Sequence, residues 1–126
     1  MEVEIAPGEL VDKITILAIK RERIGDEAKL RNVEHEYRIL TAILPPEFKT
    51  DAALGQLQAD LKAVNEIIWQ VEDEIRDHER RKDFGSSFVE LARAVYINND
   101  RRAALKREIN DALQSAIVEE KSYSPY

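Results

Sequence analysis

Residues 54–75 read LGQLQADLKAVNEIIWQVEDEI, with apolar side chains at Leu54, Leu57, Leu61, Val64, Ile68, Val71 and Ile75. Spacings of three and four put these side chains on one side of an α-helix, as a seam that must meet another helix. No proline interrupts the run, so the spacing predicts one helix from Asp51 to about Lys82. At 1.5 Å per residue such a helix is roughly 48 Å long, more than a compact domain of this size needs. A rod of that length implies a hairpin. The turn lies in Asp83, Phe84, Gly85, Ser86 and Ser87, after which Phe88, Leu91, Ala92, Val95, Leu105, Ile109 and Leu113 carry a return helix to about Ser115. With the turn centred on residue 85, position x on one arm faces about 170 minus x on the other.

Two shorter helices precede the hairpin. Pro7 suits a first helical turn, and Leu10, Ile14, Leu17 and Ile24 follow until Gly25 supplies a stop. Asp26 can cap the next helix, in which Leu30, Val33, Tyr37, Leu40 and Leu44 recur before Pro45 and Pro46 break it. The expected fold is all-α: a four-helix antiparallel arrangement, with the two shorter helices packed on a long helical hairpin, forming one domain over residues 1–126. Val3 and Ile5 alternate with Glu2 and Glu4, the pattern of a loose or short strand in residues 1–6. Val118 to Tyr126 shows no helical stripe and is expected to leave the bundle as an extended tail.

Composition narrows the functional classes. The chain carries 25 acidic against 19 basic residues, a net charge of −6, which disfavours the phosphate-neutralising surface that nucleic-acid binding requires. With no cysteine there are neither disulfides nor thiolate metal sites. The start lacks a basic and apolar leader, and no apolar run is long enough for a membrane span, so a cytoplasmic protein is expected. A di-iron bundle needs Glu followed three residues later by His on two helices, and no Glu here has that partner. His35 and His78 fall on different helices, and His78 continues the seam after Ile75, where it packs rather than ligates. Phosphate-cradling loops and nucleophile elbows are missing too. No metal, cofactor or catalytic residue is therefore assigned.

Local rules break mainly at sites, and four places break them here. Arg21 lands between Leu10 and Ile14 on the apolar side of helix one and needs a carboxylate, with a structural glutamate the bland partner. Asp12 projects between Ile16 and Ile19 and also needs a partner, for which Arg23 lies on the same strip. In the return helix Asn98 and Arg102 interrupt the Leu91 and Val95 stripe, thickened by Asn99, Asp100 and Arg101. The hairpin register sets this band opposite Trp69, Glu72, Asp73 and Arg76. The band reads either as a buried Asn layer fixing the register, with Trp69 under one of the shorter helices, or as a ligand or partner surface. Arg80, Arg81 and Lys82 form a basic run that suits a helix C-terminus.

Two stretches, PGELVDKITILAIK at residues 7–20 and LARAVYINNDRRAALKREIN at residues 91–110, resemble an uncharacterised family of short helical proteins from bacteria and phages. The likeness extends through residues 65–75 around Trp69 and residues 119–123, hence over most of the chain outside the loop near Pro45. It implies a helical fold and a loose association with surface-polysaccharide gene neighbourhoods, with no assigned activity. Ala18 stands where that family's first motif has a glutamate, so a charge-dependent role at that turn does not carry over. Glu9 and Asp12 look like the short acidic step of all-α nucleotide pyrophosphohydrolases, but the paired-glutamate step before it is missing. Helix one is similar to the first helix of a helical chorismate mutase, without its leading arginine.

The expectation is a non-catalytic helical interaction or scaffold protein, docking a protein partner or a second copy through its apolar stripe and the Trp69 band. The alternative is a small anionic ligand, such as a sugar nucleotide or carboxylate, clamped by Arg76 with Arg101 or Arg102, or a small helical enzyme working through such an Arg, Asp, Glu and Asn cluster.

Overall fold

The computed structural model describes residues 5–122, with side chains to residue 114; among these there are helices and short connections and no strand. In chain order the helices are α1 (Pro7–Arg23), α2 (Glu27–Ala42), α3 (Glu47–Thr50), α4 (Ala52–Arg81) and α5 (Ser86–Ser122). Pro7 opens α1, Glu9 sits in its first turn, and Lys20, Arg21 and Arg23 face the negative end of its dipole. Asp26 caps α2 by accepting from the Lys29 amide at 3.0 Å, and Asp51 caps α4 by accepting from the amides of Ala53 and Leu54 at 2.9 and 3.2 Å. At the far end of α4 the chain reverses at Lys82, whose φ of 55° is left-handed.

Helices α4 and α5 form the expected hairpin, and α1 lies against both of them. The core sits at the base of the hairpin, where Val11 of α1 meets Leu54 and Leu61 of α4 and Ile109 and Leu113 of α5. Burying side chains of this size contributes about 1.5–3 kcal/mol each. Phe48 closes the core from α3, a single turn made between the Pro45–Pro46 break and the Asp51 cap. The break expected at Pro45 and Pro46 is thus followed by a turn of helix before α4. Gly8 marks a close helix approach: a Cβ there would collide with the Lys106 carbonyl, and its amide donates to Asn110 Oδ1 at 2.7 Å.

The all-helical expectation holds, but the four-helix arrangement is realised only in part. Helix α1 lies on the hairpin, but α2 packs mainly on α1 and buries only Val33, so the two shorter helices do not both lie on the hairpin; the unexpected α3 packs on α4. The reason is that the polar residues of α2 leave it a single narrow apolar stripe, enough for one neighbour. The register is also tighter than a turn centred on residue 85 implies. The His78 ring lies 6.4 Å from that of Phe88, not beside Ala92, because the left-handed Lys82 reverses the chain earlier. The extended tail expected from Val118 is corrected over residues 118–122, where α5 continues to Ser122. No Gly or Pro stops it before Pro125, and helix already under way propagates cheaply. Residues 1–4, which carry most of the expected strand, and 123–126 lie outside the described residues.

Among the described residues, no other helix covers the hairpin beyond the reach of α1. From Glu72 to Ile97 no side chain is buried. Ile75, His78, Phe88, Leu91 and Val95 are half-buried in the two-helix seam.

Candidate functional site

The densest polar cluster lies where α1 crosses the hairpin. Asp12, 2% exposed, takes a bidentate pair from Arg102 of α5: Nε donates to Oδ1 at 2.8 Å and Nη2 to Oδ2 at 2.5 Å. From α4, Asn65 Nδ2 donates to Asp12 Oδ1 at 3.0 Å and to Thr15 Oγ1 at 2.8 Å, and the Thr15 hydroxyl donates to the Asp12 carbonyl at 2.8 Å. One network thus ties three helices, and among the described residues no buried side-chain polar atom lacks a partner. Burial pushes the Asp12 carboxyl up. Hydrogen bonds from Arg102 and Asn65, with the charges of Arg102 and Lys106, outweigh that and hold it below its usual value. The same contact holds the Arg102 guanidinium above its ordinary value. Both oxygens of Asp12 are spent on structure, which suits a clamp better than a proton-transfer group.

Beside the clamp is a cavity of about 270 Å³, walled by Ile16, Ile19 and Ile68 and lined by Trp69, Glu72, Asp73, Arg76 and Arg102. Arg102 is among the lining residues, and its Nη1 makes no hydrogen bond among the described residues. Arg76 makes only an exposed pair with Asp73 at 3.6 Å. Among the described residues no group of three or more His, Asp or Glu is placed to hold a metal ion. Nor is any described helix long and apolar enough to cross a membrane.

A family model described as a family of unknown function, DUF6165, matches residues 1–126. The chain belongs to that family. No curated protein and no solved structure matches it. The match covers both stretches on which the sequence resembled an uncharacterised family.

In this DUF6165 protein the expected band divides. Trp69, Glu72, Asp73, Arg76 and Arg102 share the cavity, and Trp69 lies beside Ile16 and Ile19 of α1. Asn98, Asn99 and Arg101 are not part of it. Asn98 is 9% exposed, but it donates to the Ala94 carbonyl of its own helix at 2.8 Å and accepts from Arg101 at 3.5 Å. The buried amide joining the helices is Asn65 instead. Asp12 finds its cation on α5 and not at Arg23, which is exposed, because α1 turns its Asp12 face toward the hairpin. Arg21 meets the structural glutamate that its position calls for: Nε reaches Glu34 of α2 at 2.5 Å, and the guanidinium lies 4.2 Å over the Tyr37 ring.

Arg21 also lines a wider cleft of about 650 Å³ between α1, α2 and α4, with Tyr37, Glu34, Gln58 and Lys62. Its charges are matched within the protein, since Lys62 pairs with Glu22 at 2.8 Å and is raised by it, while Glu22 is lowered in turn. Sequence reasoning assigned no role of their own to Thr15, Asn65, Asn110 or the Lys106–Glu9 pair. Asn65, next to Val64 in an otherwise apolar seam, was the one legible signal.

Proposed function

We propose that this protein is a non-catalytic, cytoplasmic helical interaction protein that associates with a second copy of itself through the bare arm of its hairpin. What supports this is the exposure of large apolar side chains where nothing is buried: Phe84 at 50%, Val89 at 52%, Tyr96 at 55% and Ile97 at 45%. Apolar surface grouped on one projecting element marks an interaction surface. The Asp12 clamp supports the same reading, since it braces the base from which the arm projects. Light scattering on a sizing column, across a tenfold range of concentration, tests it. A mass above that of one chain, falling on dilution, is expected. A single-chain mass at every concentration overturns it.

One observation favours a second reading, in which the Trp69 cavity holds a small carboxylate or sugar nucleotide. Arg102, fixed by Asp12 through Nε and Nη2, and Arg76 both line this cavity beside the apolar side chains of Ile16, Ile19 and Ile68. A ligand present at a hundred times its dissociation constant raises stability by about 2.7 kcal/mol, so a thermal-shift screen of anionic metabolites near millimolar concentration decides. No shift with any of them overturns this reading.

A further inference from the structure

The association proposed above leaves open which face of the arm is shared, and the back of α5 supplies an answer. Seven residues make nearly two helical turns, so Val89 and Tyr96 stand on one line along the helix. Arg93 and Asp100 follow each of them by four residues and lie on the same face. This face is opposite the seam of Leu91, Val95, Asn98 and Arg102 that looks toward α4 and α1. Val89, Arg93, Tyr96, Ile97 and Asp100 are all exposed. The back of α4 at the same height offers Asp73, Glu74 and Asp77 with only Ile67 as an exposed large apolar residue, a poorer surface for burial.

The charges on this face are unspent. Among the described residues neither Arg93 nor Asp100 makes an ion pair, although other exposed charges on the arm do, as Arg76 with Asp73 and Arg81 with Asp77. They cannot satisfy each other, because seven residues along a helix is about 10.5 Å and pairing within a helix works at spacings of three or four. A second copy running antiparallel does satisfy both. With the two-fold axis between Tyr96 and Ile97, Arg93 of each copy meets Asp100 of the other, Tyr96 meets Ile97, and Val89 meets Ala104. Slipping by one residue sets Tyr96 on Tyr96 and turns Arg93 toward Asn99. A parallel pairing sets Arg93 on Arg93 and Asp100 on Asp100. Both alternatives lose the ion pairs, and the second adds repulsion.

We propose that two copies of this chain dock antiparallel through the back of α5, with reciprocal Arg93–Asp100 pairs across a centre formed by Tyr96 and Ile97. The inference rests on the self-association reading and adds its face, direction and register. Its test is a charge swap read by light scattering, with far-UV circular dichroism as the folding control. Arg93→Asp alone places two acids together and Asp100→Arg alone two bases, so each variant is expected to dissociate at about tenfold higher concentration than the wild type, or more. Mixed one to one, the two variants are complementary, and a heterodimer near wild-type strength is expected. If the wild type is a single chain throughout, the self-association reading fails and this inference with it. If the wild type dimerises but either variant dimerises as well as it does, or the mixture stays dissociated, the register is overturned while self-association stands.

Discussion

Removing one partner of the Asp12–Arg102 pair probes the joint on which the tertiary structure turns. The two side chains differ in exposure, 3% for Asp12 and 29% for Arg102, and that difference sets the sign of the comparison. Arg102→Leu leaves a nearly buried carboxylate with Asn65 as its remaining side-chain hydrogen bond and Lys106 as the remaining nearby cation. Breaking a buried pair in this way costs about 3–5 kcal/mol, and protonation of the stranded carboxyl limits the loss to about 3 kcal/mol. Asp12→Asn keeps the shape and an acceptor, and the freed guanidinium can turn toward water through the neighbouring cavity, so its cost is about 1.5–2 kcal/mol. The double variant removes both charges and is expected to lose only about 2–3 kcal/mol, a coupling of roughly 2 kcal/mol. Urea unfolding followed by circular dichroism at 222 nm measures all three, provided the dependence on urea stays constant across the set. Losses below about 0.5 kcal/mol for both single variants, adding without coupling in the double, would refute the view that this pair holds α1 on the hairpin.

The same carboxyl predicts a pH dependence. Its folded value lies below the ordinary 3.8, so its contribution is complete above the unfolded value and is lost as pH falls through the folded one. Wild-type protein should therefore lose stability faster than Asp12→Asn below about pH 4, and parallel acid-unfolding curves would count against this. Gly8→Ala forces a methyl group into the Lys106 carbonyl and should cost about 2 kcal/mol. Gly25→Ala, where nothing lies within 4 Å, should be neutral or slightly stabilising, and equal losses from both would remove the close-approach argument. At the left-handed Lys82, substitution by glycine relieves a backbone conformation that L residues disfavour, and a gain of about 0.5–1 kcal/mol is expected in thermal unfolding. Asp51→Ala removes the acceptor that two amides of α4 share and should cost about 1 kcal/mol by the same measure.

Much of the fold was legible because periodicity is a local property. The seam from Leu54 to Ile75 announces α4, the stripe from Phe88 to Leu113 announces α5, and their bounds, at Asp51 and between Lys82 and Ser86, carry the residues that caps and turns require. Arg21 could likewise be matched to a glutamate in kind, since an arginine on an apolar strip needs one. Which glutamate it is, Glu34, follows from how α2 lies on α1. Asp12 shows the limit most clearly. Its need for a cation is written in its neighbours Ile16 and Ile19, yet the cation that answers is ninety residues away on α5. Nothing local distinguishes Arg102 from Arg23.

By itself, then, the amino-acid sequence determined that the chain is helical, where its long helices run, and that Asp12, Arg21, Trp69 and Arg102 depart from the plain pattern. Only the tertiary structure decided that α2 rests on α1, that Trp69 and Arg76 share a cavity with Arg102 while Asn99 and Arg101 lie outside it, and that no side chain from Glu72 to Ile97 is buried. The physical reason is that helix formation and capping are settled within a few residues by propensity and hydrogen bonding. The side of a helix that meets another depends on how all the apolar stripes are buried at once, and that is a property of the whole chain.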